Sequence, residues 1–285
     1  MKFNFSDCPE DLSMIEYISN KNAFLQSAES KFTFYEIKLS DIGWPTADEI
    51  LNSVLQTKND IGNLEGWRKQ QSESSYYKGF SLAYNSDFID TERSIFFQSM
   101  GAFELEQSFS KSLSVARFKQ IKNSYYDTYA FREISPLIAN NFKSLFSKIA
   151  FSISRSRAAF LYGGEDCLPD KINLHKDEFS NQLLRVNIPL QTSEDYVLEI
   201  NGTDENGNSN RMIKHLKKGY VYIWNTRIPH RVYCNSLTPF EKERIHLVLG
   251  LVPWFDFTDN YRAIASSKSY GHDIKQLIEN YKFRI

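Results

Sequence analysis

Between residues 158 and 252 the sequence is a series of short apolar runs separated by turn residues, and this texture limits the fold more than any other feature. The runs lie at 158–162, 183–190, 196–200, 211–216, 220–224, 230–234 and 244–252. They have strand length and are rich in Val, Ile, Leu and aromatic residues. Gly163-Gly164, the 204–210 stretch with its Asn-Gly step, and Lys218-Gly219 supply the turns between them. Short strands at this spacing predict a β-sandwich or a small barrel.

Upstream the pattern is mixed. Residues 32–39 alternate as a strand does, and Thr46-Ala-Asp-Glu49 is a capping-box sequence that should open a helix through about Leu55. Residues 57–75 are polar and read as surface loop, and the aromatic segments 76–84 and 94–100 read as strands. Ser135-Pro136 predicts a helix start, because Ser caps and Pro suits the first helical position. Its apolar residues Ile138, Phe142, Leu145, Phe146, Ile149 and Ile153 recur at helical spacing, so one face should pack across a sheet. Arg155 and Arg157 would then close that helix and complement its dipole. A last helix is expected around 273–281. Nothing in the sequence divides the chain by a linker or repeat.

Composition excludes several classes of function. Lys plus Arg is 34 against 35 for Asp plus Glu, a net charge of −1, so no basic field attracts nucleic acid and no polybasic patch marks a membrane surface. The aromatic excess, 15% of residues, suits a β-rich core or a lined pocket. Cys8, Cys167 and Cys234 form no CxxC pair, which favours a reducing compartment. The opening residues carry no signal-peptide pattern, and no later stretch is long enough to span a bilayer, so a cytoplasmic location is expected.

The residues with chemical meaning cluster late. His175-Lys176-Asp177 puts an imidazole and a carboxylate two residues apart, on one face if the segment is extended. His230 follows far enough along the chain to return on a neighbouring strand. Two histidines and one carboxylate form the facial triad of non-haem Fe(II) oxygenases, which leaves open positions for a co-substrate and O2. An H-x-D unit alone occurs by chance in surface loops. Its companions sharpen the reading.

Arg244 begins an otherwise apolar strand and shares a face with His246 and Val248. A cation there is costly unless an anion neutralises it. A small dicarboxylate held by a bidentate guanidinium would do so, whereas the plain alternative is a rim ion pair with Glu241 or Glu243. Arg185 and Asn187 repeat the device on an earlier strand.

Taken in order, His175-x-Asp177, Arg185-x-Asn187-Ile-Pro-Leu190, Gly219-x-x-x-x-Trp224-Asn225, His230-x-Val232-x-x-Asn235 and Glu243-Arg244-Ile-His-Leu-Val-Leu are similar to a known pattern. The chain resembles the aspartyl/asparaginyl β-hydroxylase-like branch of Fe(II)/2-oxoglutarate dioxygenases, which includes the cis-proline hydroxylases. The resemblance covers about residues 155 to 256. It implies a mainly β fold with flanking helices, built on a double-stranded β-helix (jelly-roll, cupin-like) core. It further implies Fe(II) on His175, Asp177 and His230, with the distal carboxylate of 2-oxoglutarate on Arg244. Arg185 matches a second arginine near the co-substrate. The implied reaction couples oxidative decarboxylation of 2-oxoglutarate, with O2, to hydroxylation of a C–H bond. Asp177 stands where some members lack a carboxylate and where a halogenase would need a vacancy. The segment between Ala158 and His175 is longer than usual, so no family contact there carries over.

On this reading residues 1–110 form an N-terminal α/β extension packed on the core, 111–257 the oxygenase core with its supporting helix, and 258–285 a helical tail. The expected substrate is a free amino acid or related small molecule, or an amino-acid residue in a peptide. The competing readings are a non-catalytic jelly-roll binding protein and a cupin-like metalloenzyme that does not use 2-oxoglutarate. Among the remaining candidates, His246 reads as a hydrogen-bonded core histidine close to the site. Cys234 reads as buried filler, Tyr222 and Trp224 as packing, and His215 and His272 as surface residues.

Overall fold

The computed structural model describes residues 34–66, 77–86, 94–96, 131, 133–149, 151–176, 184–203, 209–224, 226, 228–236, 243–253, 255–257, 263–265 and 277. Chain order begins with β1 (Phe34–Lys38), helix α1 (Ala47–Ile61), β2 (Glu65–Gly66) and β3 (Tyr77–Ser81). Helix α2 (Pro136–Asn141) and a further helical turn (Lys143–Phe146) follow. Then come β4 (Ser152–Leu161), β5 (Leu184–Gln191), β6 (Tyr196–Thr203), β7 (Ser209–His215), β8 (Tyr220–Trp224), β9 (His230–Cys234) and β10 (Arg244–Val252). A small pair, β11 (Phe255–Phe257) and β12 (Ala263–Ala265), closes the series.

Two antiparallel sheets carry the fold. The larger runs β1-β8-β5-β10-β4-β3-β2 and the smaller runs β7-β6-β9. An isolated antiparallel bridge, His175 to His230, adds the segment around His175 to the free side of β9. Without β1, β2 and β3, each sheet is four strands wide, and the chain passes between them as it does in a jelly roll. The core is therefore a double-stranded β-helix, with β1 and β3 extending its larger sheet at either side.

The larger sheet has two unlike faces. One carries Phe80, Ala158, Phe160, Ile245, Leu247, Leu249, Val186, Ile188, Val221 and Ile223, all buried. Helix α1 covers this face: Ile50, Val54 and Thr57 are buried on one side of it, and Lys58 lies over the Phe160 ring at 4.8 Å. The capping box is present, with Thr46 Oγ1 accepting from the Glu49 amide at 3.2 Å and Glu49 Oε2 accepting from the Thr46 amide at 2.7 Å. Asn141 of α2 pins the two helices through Thr57 Oγ1 and Asp60, each at 3.0 Å.

Several sequence expectations change. The long helix over 135–153 is instead α2, one more turn, and the start of β4. Residues 152–157 alternate Ser with Ile and Arg; Ser and Ile favour a helix only weakly, and sheet pairing with β10 and β3 captures the segment. Arg155 and Arg157 thus sit on a strand and complement no helix. Helix α1 runs on to Ile61, through part of the expected loop, and residues 94–96 of the strand expected over 94–100 form a 3-10 turn, the remainder lying outside the described residues. Of the tail helix only Leu277 is described, and it is helical. Among the described residues no helix is long and apolar enough to cross a membrane.

Candidate functional site

The second face of the larger sheet looks across at the smaller one, and the register shows what it carries. Leu161 pairs with Arg244 and Tyr77, Ala159 with His246 and Gly79, and Arg157 with Val248 and Ser81. On the other side of β10, Val248 pairs with Asn187 and His246 with Pro189. Directly paired residues of an antiparallel ladder share a face, so all of these line the interior. From the smaller sheet, Tyr196 and Cys234 pack into one buried cluster with Ala159, Leu161, Cys167 and Val248. An ion pair from Lys214 on β7 to Glu36 on β1 closes one side of this space.

At one end of the interior stand two histidines. The backbones of His175 and His230 exchange both hydrogen bonds at 2.9 Å, and their rings lie 4.7 Å apart between centroids. Nδ1 of His230 faces the Ile228 carbonyl at 2.9 Å, and Nδ1 of His175 faces the Asn173 carbonyl at 3.4 Å. A carbonyl only accepts, so each Nδ1 carries the proton and each Nε2 keeps its lone pair. Two neighbouring imidazoles whose Nδ1 atoms both face backbone carbonyls, so that Nε2 is the nitrogen with a lone pair to offer, are a donor set that fits a divalent metal. His230 is buried, with the Trp224 indole edge-on at 5.9 Å, whereas His175 is exposed. Asp177, the expected third ligand, lies outside the described residues. Among the described residues no three His, Cys, Asp or Glu side chains converge as a metal-binding group.

At the other end lies Arg244, 5% exposed. Its Nη2 donates to Nδ1 of His246 at 2.9 Å, and its guanidinium carbon sits 5.5 Å from the centre of the Tyr196 ring. Tyr196 itself donates to the Leu161 carbonyl at 3.1 Å, which holds the ring in place. Burial lowers the Arg244 pKa to about 10, opposed by the Tyr196 and Tyr77 phenols. Burial, with Arg244 next to it, holds His246 well below its ordinary value. The imidazole is therefore neutral, accepts at Nδ1, and carries its proton on Nε2. Both Arg244 Nε and His246 Nε2 are buried without a hydrogen-bond partner among the described residues. Leaving such donors unmet is costly, more so on a cation. The rim ion pair considered for Arg244 does not form with Glu243, which bonds Lys58 at 2.7 Å. Glu241 lies outside the described residues.

Arg185 occupies a different place from Arg244. It pairs with Gly250, six residues further along β10, or about 20 Å of strand. On the β8 side its neighbour Val186 pairs with Ile223, one residue from Trp224, whose indole meets His230, so Arg185 stands toward the histidine end of the interior. Its Nη1 donates to the Arg155 carbonyl at 3.0 Å. Arg155 has a φ of 45°, in a bulge where β4 slips against β10. Cys234 is fully buried, and burial raises its thiol pKa, so it remains a neutral filler. His215 is half-buried rather than on the surface, with Nδ1 at 3.1 Å from the Tyr196 carbonyl. His272 lies outside the described residues.

Sequence reasoning missed Glu199. This residue is 2% exposed, yet both carboxylate oxygens are taken: Oε1 accepts from Arg211 Nε at 2.7 Å and Oε2 from Arg231 Nε at 2.8 Å. Burial pushes its pKa up, but hydrogen bonds from Arg211 and Arg231, and their charges, hold it below the usual carboxylate range. In the sequence it is one polar residue on the outward side of an alternating strand.

No family model matches the chain, and no curated protein matches it. Among solved structures it is similar to a prolyl hydroxylase from Trichoplax adhaerens in complex with a hypoxia-inducible-factor peptide, at 13% identity and a TM-score of 0.37. That match covers 86% of this chain and 96% of the other. A Pseudomonas putida prolyl-4-hydroxylase matches at 12% identity and 0.36, over 80% and 99%. The non-heme alpha-ketoglutarate-dependent epimerase SnoN of nogalamycin biosynthesis matches at 11% and 0.36, over 80% and 82%. At this identity and TM-score the likeness transfers neither an activity nor a substrate.

Proposed function

We propose that the chain is an Fe(II)- and 2-oxoglutarate-dependent hydroxylase of the aspartyl/asparaginyl β-hydroxylase-like branch. Its substrate is an amino acid or related small molecule, or an amino-acid residue in a peptide. The observation that carries the reading is Arg244: a buried cation with no acidic partner among the described residues, facing the same interior as His230. An interior of this kind selects a small anion. From the smaller sheet, Tyr196 and Cys234 lie close to Arg244, and His230 stands four residues before Cys234 on the same strand, β9.

His175 and His230 would hold iron through Nε2, with Asp177 as the third ligand. When bound, iron supplies the O2 chemistry that couples 2-oxoglutarate decarboxylation to C–H hydroxylation. The chain's own residues bind and orient. Arg244 offers Nε and Nη atoms to the distal carboxylate, and the bond to His246 fixes the guanidinium plane beforehand, so less freedom is lost on binding. The neutral His246 presents Nε2–H beside it. Tyr196 covers the guanidinium face and keeps water from it. Arg185, toward the histidine end, would meet the keto-acid end.

The test is succinate release by the purified chain in air, screened over amino acids and short peptides. Release requires both Fe(II) and 2-oxoglutarate and rises with one class of substrate. Absence of any Fe(II)- and 2-oxoglutarate-dependent succinate would overturn the proposal.

A further inference from the structure

Arg231 follows His230 directly, so strand alternation turns its side chain to the outer face of β9. That face is covered. The chain between β4 and His175 crosses it, through a 3-10 turn (Glu165–Cys167) and a second turn closed by Leu168 accepting from Lys171 and Ile172 at 3.0 and 3.3 Å. Arg231 Nη1 donates to the carbonyls of Pro169 and Ile172, the latter at 2.9 Å. The other edge of the same guanidinium rests on Glu199 Oε2, through Nε at 2.8 Å and Nη2 at 2.7 Å. Glu199 is the register partner of Arg231 on β6 and is itself held by Arg211. The plate formed by Glu199 and Arg231 therefore bolts the crossing segment to the smaller sheet, three residues before His175.

His175 needs such a bolt. Asn173, Leu174, His175 and Lys176 are all exposed, Leu174 at 38%, so no buried apolar side chain of this segment anchors it. The single bridge to His230 is its one strand contact among the described residues, and segments with few buried contacts open locally at little cost.

We infer that the Glu199–Arg231 pair is a positioning device that holds the crossing segment so that His175 meets His230 in metal-binding geometry. The inference rests on the proposed role of the two histidines. Neither side chain touches the metal; both act through the backbone of residues 169–172. Arginine is suited to the task because its rigid fork engages a carboxylate and two carbonyls at once, and lysine cannot do so.

The test uses the full chain and Co(II) alone as the probe, with Arg231→Ala, Arg231→Lys and Glu199→Gln. Each variant should bind Co(II) about 10- to 100-fold more weakly than the wild type, as loss of a partner outside the ligand shell does. The visible Co(II) spectrum should change with it. Amide hydrogen exchange gives an independent reading: the His175 amide, which donates to His230, should exchange at least about tenfold faster in the variants while β5 and β10 amides keep their protection. Unchanged Co(II) affinity and His175 exchange in all three variants would overturn the inference. So would an equal loss of protection throughout the sheets, which would make the pair a general core element. A wild type that binds no Co(II), with His175 exchange still responding to Arg231, would instead sink the metal-binding reading of the histidines, and with it the purpose assigned to the device.

Discussion

Arg244 Nη2 and His246 Nδ1 are joined at 2.9 Å, two residues apart on one strand and both buried. This bond makes the imidazole an acceptor toward the cation, so the pair carries one positive charge rather than two. The unmet Nε of Arg244 and Nε2 of His246 are donors left for an anion. Arg244→Gln should therefore raise the 2-oxoglutarate requirement for succinate release about 10- to 100-fold, as expected for lost hydrogen bonds to a charged group. Co(II) binding should persist. An unchanged requirement would move the carboxylate clamp elsewhere.

His246 should stay neutral across the range in which an ordinary histidine titrates, about pH 5 to 8. Its ring signals, followed by NMR, should not move over that interval. The sign for stability follows from linkage. The unfolded chain binds a proton at His246 near the ordinary value and the folded chain does not, so stability falls as pH drops through about 6.5. His246→Gln should remove that part of the pH dependence; a slope equal to the wild type's would show that His246 titrates alike in both states.

Glu199 binds two arginines of unequal burial, with Arg211 54% exposed and Arg231 17%. Arg211→Ala should cost under about 1 kcal/mol, the range of a solvent-screened pair. Glu199→Ala should cost more, about 1–3 kcal/mol, because it leaves Arg231 against the loop without its carboxylate. Since the folded-state pKa of Glu199 is depressed, its contribution is present above the ordinary carboxylate range and is lost as pH falls below it. Urea melts of the two variants at neutral and acid pH check both points; equal costs would contradict them.

At the first turn of α1, Thr46→Ala removes the side chain that accepts from the Glu49 amide and should cost about 1 kcal/mol in the same melts. Thr46→Ser should restore most of it. An Ala variant as stable as the wild type would mean that packing on β5 alone holds the helix.

What the sequence made legible and what it hid divide along physical lines. Local codes were readable: the Thr46–Glu49 box, the Ser135–Pro136 start, and the strands from β5 to β10, whose apolar runs are bounded by turns. The face shared by Arg244, His246 and Val248 followed from alternation alone. The helix extended through Ile153 failed because Ile149 and Ile153 fit a helical period as well as a strand, and the deciding partners, β3 and β10, are distant in sequence. Glu199 and Arg231 are polar positions on alternating strands, and no local code in the sequence marks them. Their pairing depends on Arg231 also meeting the carbonyls of Pro169 and Ile172, and nothing in 162–174 announces that crossing.

The most direct trial is anaerobic: wild type, His175→Ala and His230→Ala, each loaded with Fe(II) and 2-oxoglutarate, compared by visible absorption. A weak metal-to-ligand charge-transfer band should develop in the wild type and be absent from both variants, each of which retains its fold by circular dichroism. A wild type without the band, or a band that survives loss of either imidazole, would contradict the joining of His175 and His230 at one iron beside a bound keto acid.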